Sequence, residues 1–174
     1  MELEELPGDA STLIYLAKAD AFDLAFACVS TILVPPGVWQ EAVHAGEALG
    51  YPDVPRIRQA EVEGWLRRVD LSADDQAAAS AIASQHRLGI GESEVLALGR
   101  RASRALVDEG RAARVARALG IVAVSTLFLP LLGRRSGELD NEDAVRLLRQ
   151  LAIVTGARAE VVFALEEKLR KDAP

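Results

Sequence analysis

Residues 104–124 read RALVDEGRAARVARALGIVAV, and this stretch decides the fold. RALVD is a short, largely apolar run that ends on an acid, Asp108. EGRAARVARAL follows with apolar residues at helical spacing, and IVAV (121–124) is a second apolar, β-branched run. Strand, helix and strand in that order predict two parallel strands, because a parallel pair needs a crossover connection. The same alternation extends toward the N-terminus. TILV (31–34) reads as a buried strand stopped by Pro35-Pro36, and PGVWQEAVHAG opens a helix with proline in its first turn. IRQAEVEG reads as a helix and WLRRV (65–69) as a short strand. Ser72 and Asp75 form an acidic variant of a capping box ahead of DDQAAASAIASQHR; LGIG then breaks the chain before ESEVLALGRRA.

ASTLIYLAKA and DLAFACV add two helices near the N-terminus, and spans 140–154 and 157–171 add two at the other end. Short strands alternating with helices predict an α/β fold in three layers: a short, mostly parallel central sheet flanked by helices, with extra C-terminal helices. The 174 residues read as one domain. No repeat or low-complexity linker interrupts it.

A hydrophobic content of 50% excludes a disordered chain, and 5% aromatic content leaves Leu, Val, Ile and Ala to build the core. Cys28 is the sole cysteine, so an intrachain disulfide and a thiolate-rich metal site are both excluded. The N-terminus lacks a signal-peptide layout, and no apolar run approaches the ~20 residues that span a bilayer. A cytoplasmic protein without membrane association is expected. The net charge of −6 is unevenly spread: residues 100–135 hold eight arginines against Asp108 and Glu109. A local basic field therefore coexists with an acidic whole.

In parallel α/β sheets, ligands sit beyond the carboxyl ends of the strands. Asp108 ends its strand, and Asp9 precedes the first helix, where a first strand should end. Glu41 lies about a turn into the helix after TILV. Glu92 starts the helix that feeds the Asp108 strand. Four carboxylates from distant positions are thus expected at one sheet edge, an arrangement that is unfavourable unless cations neutralise it. An oxygen-only donor set suits Mg²⁺ or Mn²⁺. Such ions polarise a phosphoryl oxygen and lower the pKa of bound water.

This layout resembles the PIN-domain nucleases. DASTLIYLAKAD (9–20) is similar to the family's opening, where an Asp ends strand one and a small hydroxyl residue follows. LVPPGVWQEAV (33–43) is similar to its strand, proline turn and Glu-bearing helix. GIGESEVLAL (89–98) resembles the GE-x-E helix of one bacterial and archaeal branch, and LVDEGRAARVARALGI (106–121) resembles that branch's Asp strand, Arg-rich helix and second strand. VSTLFLPLL (124–132) stands where relatives carry a Gly-Thr turn.

The resemblance implies a metal-dependent ribonuclease that leaves 5′-phosphate and 3′-hydroxyl ends, with Asp9, Glu41, Glu92 and Asp108 as catalytic metal ligands. Glu94 is the alternate to Glu92. Positions two apart on a helix differ by about 200°, so one of the two faces metal while the other holds a water, an arginine or a helix end. Ser11 or Thr12, and Ser125 or Thr126, would position water. Arg100, Arg101, Arg104, Arg111 and Arg114 are candidates for contacts to RNA phosphate. The resemblance further implies the toxin of a toxin–antitoxin pair, a small antitoxin protein as partner, and a homodimer.

Several residues depart from the family pattern. ELEELPG (2–8) is acidic and broken by Pro7 and Gly8 where relatives carry an aliphatic strand; if it frays, Asp9 is poorly held. Ser125 replaces a glycine, and Phe128 adds bulk that would narrow the groove. These changes favour a rival, a PIN fold with a degraded site serving as a binding or dimerisation module. A phosphohydrolase working through an aspartyl phosphate ranks lower, because Asp9 is followed by Ala10-Ser11 instead of a second acid. His44 and His86 lack metal-ligand spacing, and Cys28, Trp39 and Trp65 read as packing residues.

Overall fold

A computed structural model describes residues 5–108 and 110–171. The chain alternates as the sequence predicts. Strand β1 (Glu5–Pro7) leads into α1 (Ala10–Lys18) and α2 (Phe22–Phe26), and β2 (Thr31–Val34) follows. Next comes one continuous helical rod made of α3 (Pro36–Trp39), a π-helical segment (Gln40–Ala45) and α4 (Gly46–Ala48). Helix α5 (Val54–Val62), β3 (Leu66–Arg68), α6 (Ala73–His86), α7 (Ile90–Ala102) and β4 (Arg104–Leu106) complete the middle of the chain. The remainder is α8 (Arg111–Ala118), β5 (Val122–Val124), a 3₁₀ turn (Thr126–Phe128), α9 (Leu129–Ser136), α10 (Asn141–Thr155) and α11 (Ala159–Lys171).

Every strand pairing is parallel. β1, β2 and β3 form one ladder, β4 and β5 a second, and a parallel bridge between Gly8 and Leu106 joins them. The spatial order is therefore β3-β2-β1-β4-β5. The chain winds outward from β1 in one direction, then returns to the other side of β1 and winds the opposite way. The crevice between β1 and β4 is the topological switch point, where parallel sheets place their ligands. Helix α7 packs on β1 and β4, while α1 packs against α5 and α10. The core is aliphatic, with Leu13, Leu16, Leu96, Leu106, Leu147 and Leu148 fully buried.

Two sequence expectations need correction. The first strand does not fray over its described part: Glu5, Leu6 and Pro7 pair with Thr31, Ile32 and Leu33, while residues 2–4 of ELEELPG lie outside the described residues. Pro7 is tolerated because N–H groups alternate sides along a strand. Gly8 N donates to Leu33 O of β2, at 3.1 Å, and Asp9 N donates to Leu106 O of β4, at 3.1 Å. The missing Pro7 donor therefore faces β4, where the joint is only the Gly8–Leu106 bridge. Gly8 is itself required by close packing: a Cβ there would sit 2.7 Å from Ile32 Cγ2. The second correction concerns Asp108, which does not end the strand. β4 ends at Leu106, Val107 N still donates to Val124 O at 3.0 Å, and Asp108 emerges just past that last bond because β5 itself stops at Val124.

Candidate active site

Asp9 follows directly from β1 and caps α1, its Oδ1 accepting from Thr12 N at 2.8 Å. Capping an orphan helical N–H is what an aspartate in extended conformation does well. The same placement buries the carboxylate, which is only 8% exposed. Burial, with a further contribution from the nearby Asp108 charge, pushes the Asp9 carboxyl up to about 6. Backbone and hydroxyl contacts from Thr12 oppose this rise without cancelling it.

Asp108 sits across the crevice in a nest of donors. Its Oδ1 accepts from Ser125 Oγ at 2.6 Å and Thr126 N at 2.9 Å, and its Oδ2 accepts from Thr126 Oγ1 at 2.5 Å. These bonds come from the turn after β5, so the ends of β4 and β5 hold one carboxylate together. Thr126 is fully buried, and its hydroxyl lies 3.3 Å from that of Thr12 beneath Asp9.

Helix α7 contributes Glu92 and Glu94, and they diverge. Glu92 is the third residue of the helix and accepts from Gly89 N at 2.9 Å, closing its own helix end. Glu94 turns away and accepts from Gly37 N at 2.6 Å, closing the amino end of α3 instead. That contact requires glycine at 37, where a Cβ would lie 2.8 Å from Glu94 Oε2 and 2.9 Å from Ile90 Cγ2. Glu41 lies in the π-helical segment; its carboxyl is raised by partial burial and then by the Glu92 charge. A π turn carries an extra residue and re-aims the side chains after it, a distortion often found at functional sites.

A cleft of about 320 Å³ opens over the switch point, with Asp9, Glu92, Asp108, Ser11 and Ser125 on its walls. A second hollow of about 150 Å³ adjoins it, lined by Asp9, Ser11, Glu41 and Glu92. Asp9 and Glu92 are common to both. All four acids thus border one connected region, but as two overlapping sets; among the described residues, no three His, Cys, Asp or Glu side chains gather tightly enough to hold one ion. In donor chemistry the set still fits a hard divalent cation. It offers only oxygens, and burial leaves the charged form of Asp9 short of solvation. Thr12, Ser125 and Thr126 support the carboxylates, while Ser11 is exposed in the cleft wall.

The arginines proposed for phosphate line neither hollow. Arg101 is engaged by Asp75 and Ser72, Arg111 donates to Arg87 O at 3.1 Å, and Arg100, Arg104 and Arg114 lie on the exposed surface. The sequence reading missed the opposite wall of the cleft, formed by Tyr15, Leu127, Val161 and the α10–α11 turn, Thr155-Gly156-Ala157-Arg158. The helix break at Gly156 is legible in the sequence; where the hairpin lands is not. Phe128, read as bulk that narrows a groove, does line this cleft. A larger groove of about 620 Å³ on α10 and α11 lies apart from the acids. Its arginines are committed, Arg146 to Asp143 and both Arg149 and Arg170 to Glu166.

The fold and the site together define a class, parallel α/β domains with acidic side chains around the switch point. Within that class, a family model described as DUF3368, a PIN domain, matches residues 8–163, and the chain belongs to that family. This gives the protein a nuclease-like fold of a kind that typically works with divalent metal. No curated protein and no solved structure matches the chain significantly. Among the described residues, no helix is long and apolar enough to cross a membrane.

Proposed function

We propose that this PIN domain is a divalent-metal-dependent ribonuclease that hydrolyses phosphodiester bonds in RNA. The observation that carries the reading is the pairing of Asp9 with Asp108 across the switch point, close enough for the Asp108 charge to help raise the Asp9 carboxyl to about 6. A cation there would favour the charged form of Asp9. Asp9, Asp108 and Glu92, which line one cleft, would hold it by drawing closer than they stand here, with Glu41 joining from the adjoining hollow. When bound, Mg²⁺ or Mn²⁺ supplies positive charge that polarises the scissile phosphoryl group and lowers the pKa of water. The chain's own residues supply orientation. Thr12 N fixes Asp9, Ser125 and Thr126 fix Asp108, and Gly89 N fixes Glu92. Action as a toxin, a small antitoxin as partner and a homodimeric state rest on the family resemblance of the stretches quoted above, and a cytoplasmic location on the sequence's lack of a signal-peptide layout.

The test is cleavage of a mixed single-stranded RNA pool in Mn²⁺ by the wild type and by Asp108→Asn, which keeps shape and removes charge. The expected result is cleavage by the wild type and a loss of orders of magnitude in the variant, with folding retained. Equal cleavage by both would mark the activity as contamination. A second reading, a PIN fold retained for binding alone, is favoured by the spread of the acids into two overlapping sets. It predicts a wild type that neither cleaves RNA nor gains thermal stability from Mn²⁺.

A further inference from the structure

Nearly every arginine on the C-terminal hairpin that borders a cavity is already paired. Arg146 meets Asp143 at 2.7 Å, Arg149 meets Glu166 at 2.8 Å, and Arg170 meets Glu166 at 3.3 Å. Arg158 is the exception. It lines the acidic cleft together with Asp9, Glu92 and Asp108, yet among the described residues no carboxylate lies within ion-pair distance of it. Arg158 and the three acids thus share one cleft without an ion pair between them, and an anion bound there would meet the charge of Arg158.

We infer that Arg158 is a substrate-binding residue of the cleft. Its guanidinium takes the phosphate of one unpaired nucleotide, whose base lies against Phe128 and Val161. The inference rests on the nuclease reading above and deepens it by naming a residue for substrate binding and the form of substrate. Arg158 is held in place by backbone. Gly156 closes α10 at φ +64°, Ala157 N bonds to Ala152 O at 3.1 Å, and Arg158 O accepts from Val161 N at 2.9 Å and Val162 N at 3.2 Å. The side chain therefore departs from a fixed point at the cleft wall. A planar guanidinium with several donors matches phosphate geometry and carries its charge at any working pH.

The wall around Arg158 sets the substrate class. Phe128 is 43% exposed, and Leu127, Val161 and Tyr15 line the cleft with it. An aromatic face next to a phosphate site accepts any base by stacking, which makes it tolerant of sequence. A base inside a duplex is already stacked and cannot reach it; a splayed, single-stranded base can. At about 320 Å³ the cleft has the volume of a small-molecule site, room for one nucleotide and not for a base pair with both strands.

The experiment measures binding of a fluorescent single-stranded oligoribonucleotide to Asp108→Asn protein in Mn²⁺ across a salt series. It is repeated with Arg158→Ala, Arg158→Lys and, as control, Arg146→Ala added. KM and kcat for cleavage are measured in parallel with the same substitutions in the otherwise wild-type chain. Arg158→Ala is expected to weaken binding about tenfold or more and to flatten the slope of log K against log salt by about 0.7, the value of one phosphate contact on a single strand. KM should rise more than kcat falls. Arg158→Lys should recover most of the slope, Arg146→Ala should change nothing, and the melting temperature should stay within a degree or so in all of them. A duplex of the same sequence should bind far more weakly. Unchanged affinity, slope and KM in Arg158→Ala, beside a wild type that cleaves, would overturn the role of Arg158 and leave the nuclease reading standing. Binding that depends on Arg158 without cleavage by the wild type would sustain the phosphate site and end the nuclease reading. A wild type that neither binds nor cleaves would overturn both.

Discussion

The hydroxyls of Thr12 and Thr126 lie 3.3 Å apart, and through them the two aspartates of the switch point stand on one hydrogen-bonded base. Thr12 N holds Asp9, and the Thr126 hydroxyl and backbone N–H hold Asp108. The residues are far apart in sequence, so this contact ties the turn after β5 to the start of α1. Both threonines are fully buried. A hydroxyl proton there has no water to turn to, and a carboxylate is the stronger of the two available acceptors.

Thr126→Val keeps the shape of the side chain and removes that proton. Asp108 then loses one donor while retaining Ser125 and the backbone. The expected cost is about 1.5–3 kcal/mol of folding stability, measured by urea denaturation. Loss of a group that orients a metal ligand also lowers activity, here by roughly 10–100-fold. A variant as stable and as active as the wild type would show that the Thr126 contact is idle.

Asp9 gives a prediction with a definite sign. Its folded carboxyl is raised from 3.8 to about 6, so between those values the folded state binds more protons than the unfolded state. Stability of the metal-free protein therefore falls as pH rises from about 4 to about 6 and stays low above that window. Asp9→Asn mimics the neutral form and still caps a helix. In chelator at pH 7.5 it should be more stable than the wild type by on the order of 2–3 kcal/mol, with the difference vanishing near pH 4. Mn²⁺ should reverse the ranking by stabilising only the wild type. Equal melting temperatures of the two proteins across pH 4–8 would contradict the buried-charge account.

Glu92 and Glu94 separate function from architecture. Glu94→Gln keeps an acceptor for Gly37 N and should leave cleavage near wild-type level; Glu94→Ala strands that N–H and should cost about 1–3 kcal/mol. Glu92→Gln also keeps its cap on Gly89 N, so the fold should persist, yet cleavage and Mn²⁺ stabilisation should drop sharply. Thermal melts and RNA cleavage on the three variants decide it. A dead Glu94→Gln beside an active Glu92→Gln would exchange their roles.

These outcomes follow divisions that the sequence shows unequally. The alternation of short apolar runs with helices makes the parallel sheet legible, since local periodicity and chain order are both written in the residues. The Ser72–Asp75 capping box is legible for the same reason and forms with both of its bonds. Divergence of Glu92 from Glu94 follows from helix geometry alone. The soundness of β1 is not legible. Pro7 and Gly8 read as breakers, yet one faces the weak joint of the sheet and the other is needed for its contact with Ile32. The π-helical segment at Gln40–Ala45 leaves no mark in the sequence because its register depends on what packs around it. The basic stretch at 100–135 records charge but not partners or position: Asp75 already holds Arg101, and none of the five candidate arginines lines either hollow. Arg158 stays hidden until the hairpin folds back on the cleft.

That hairpin supplies the last prediction. Glu166 of α11 is nearly buried and receives Arg149 from α10 at 2.8 Å and Arg170 from its own helix at 3.3 Å. The Arg149 hydrogen bond is the main cause holding its carboxyl below the ordinary 4.5; the charges of Arg149 and Arg170 add to it, and partial desolvation opposes it. A depressed carboxyl contributes stability that is fully present above about 4.5 and is lost as pH falls through the folded value. Both arginines are largely exposed, so salt screens the pair and the effect on global stability is small. Its local effect is larger, because the pair ties α11 to α10 and so holds the turn that carries Arg158 over the cleft. Glu166→Gln at pH 7 should increase amide exchange in α11 more than in β1 or β4, and should raise KM for RNA with little change in kcat. Lowering the pH of the wild type below 4.5 should reproduce the exchange pattern, and the two proteins should converge there. Uniform exchange across α11 and the sheet in the variant, or an unchanged KM, would show that the hairpin is held by its apolar face alone, where Leu165 and Leu169 are buried.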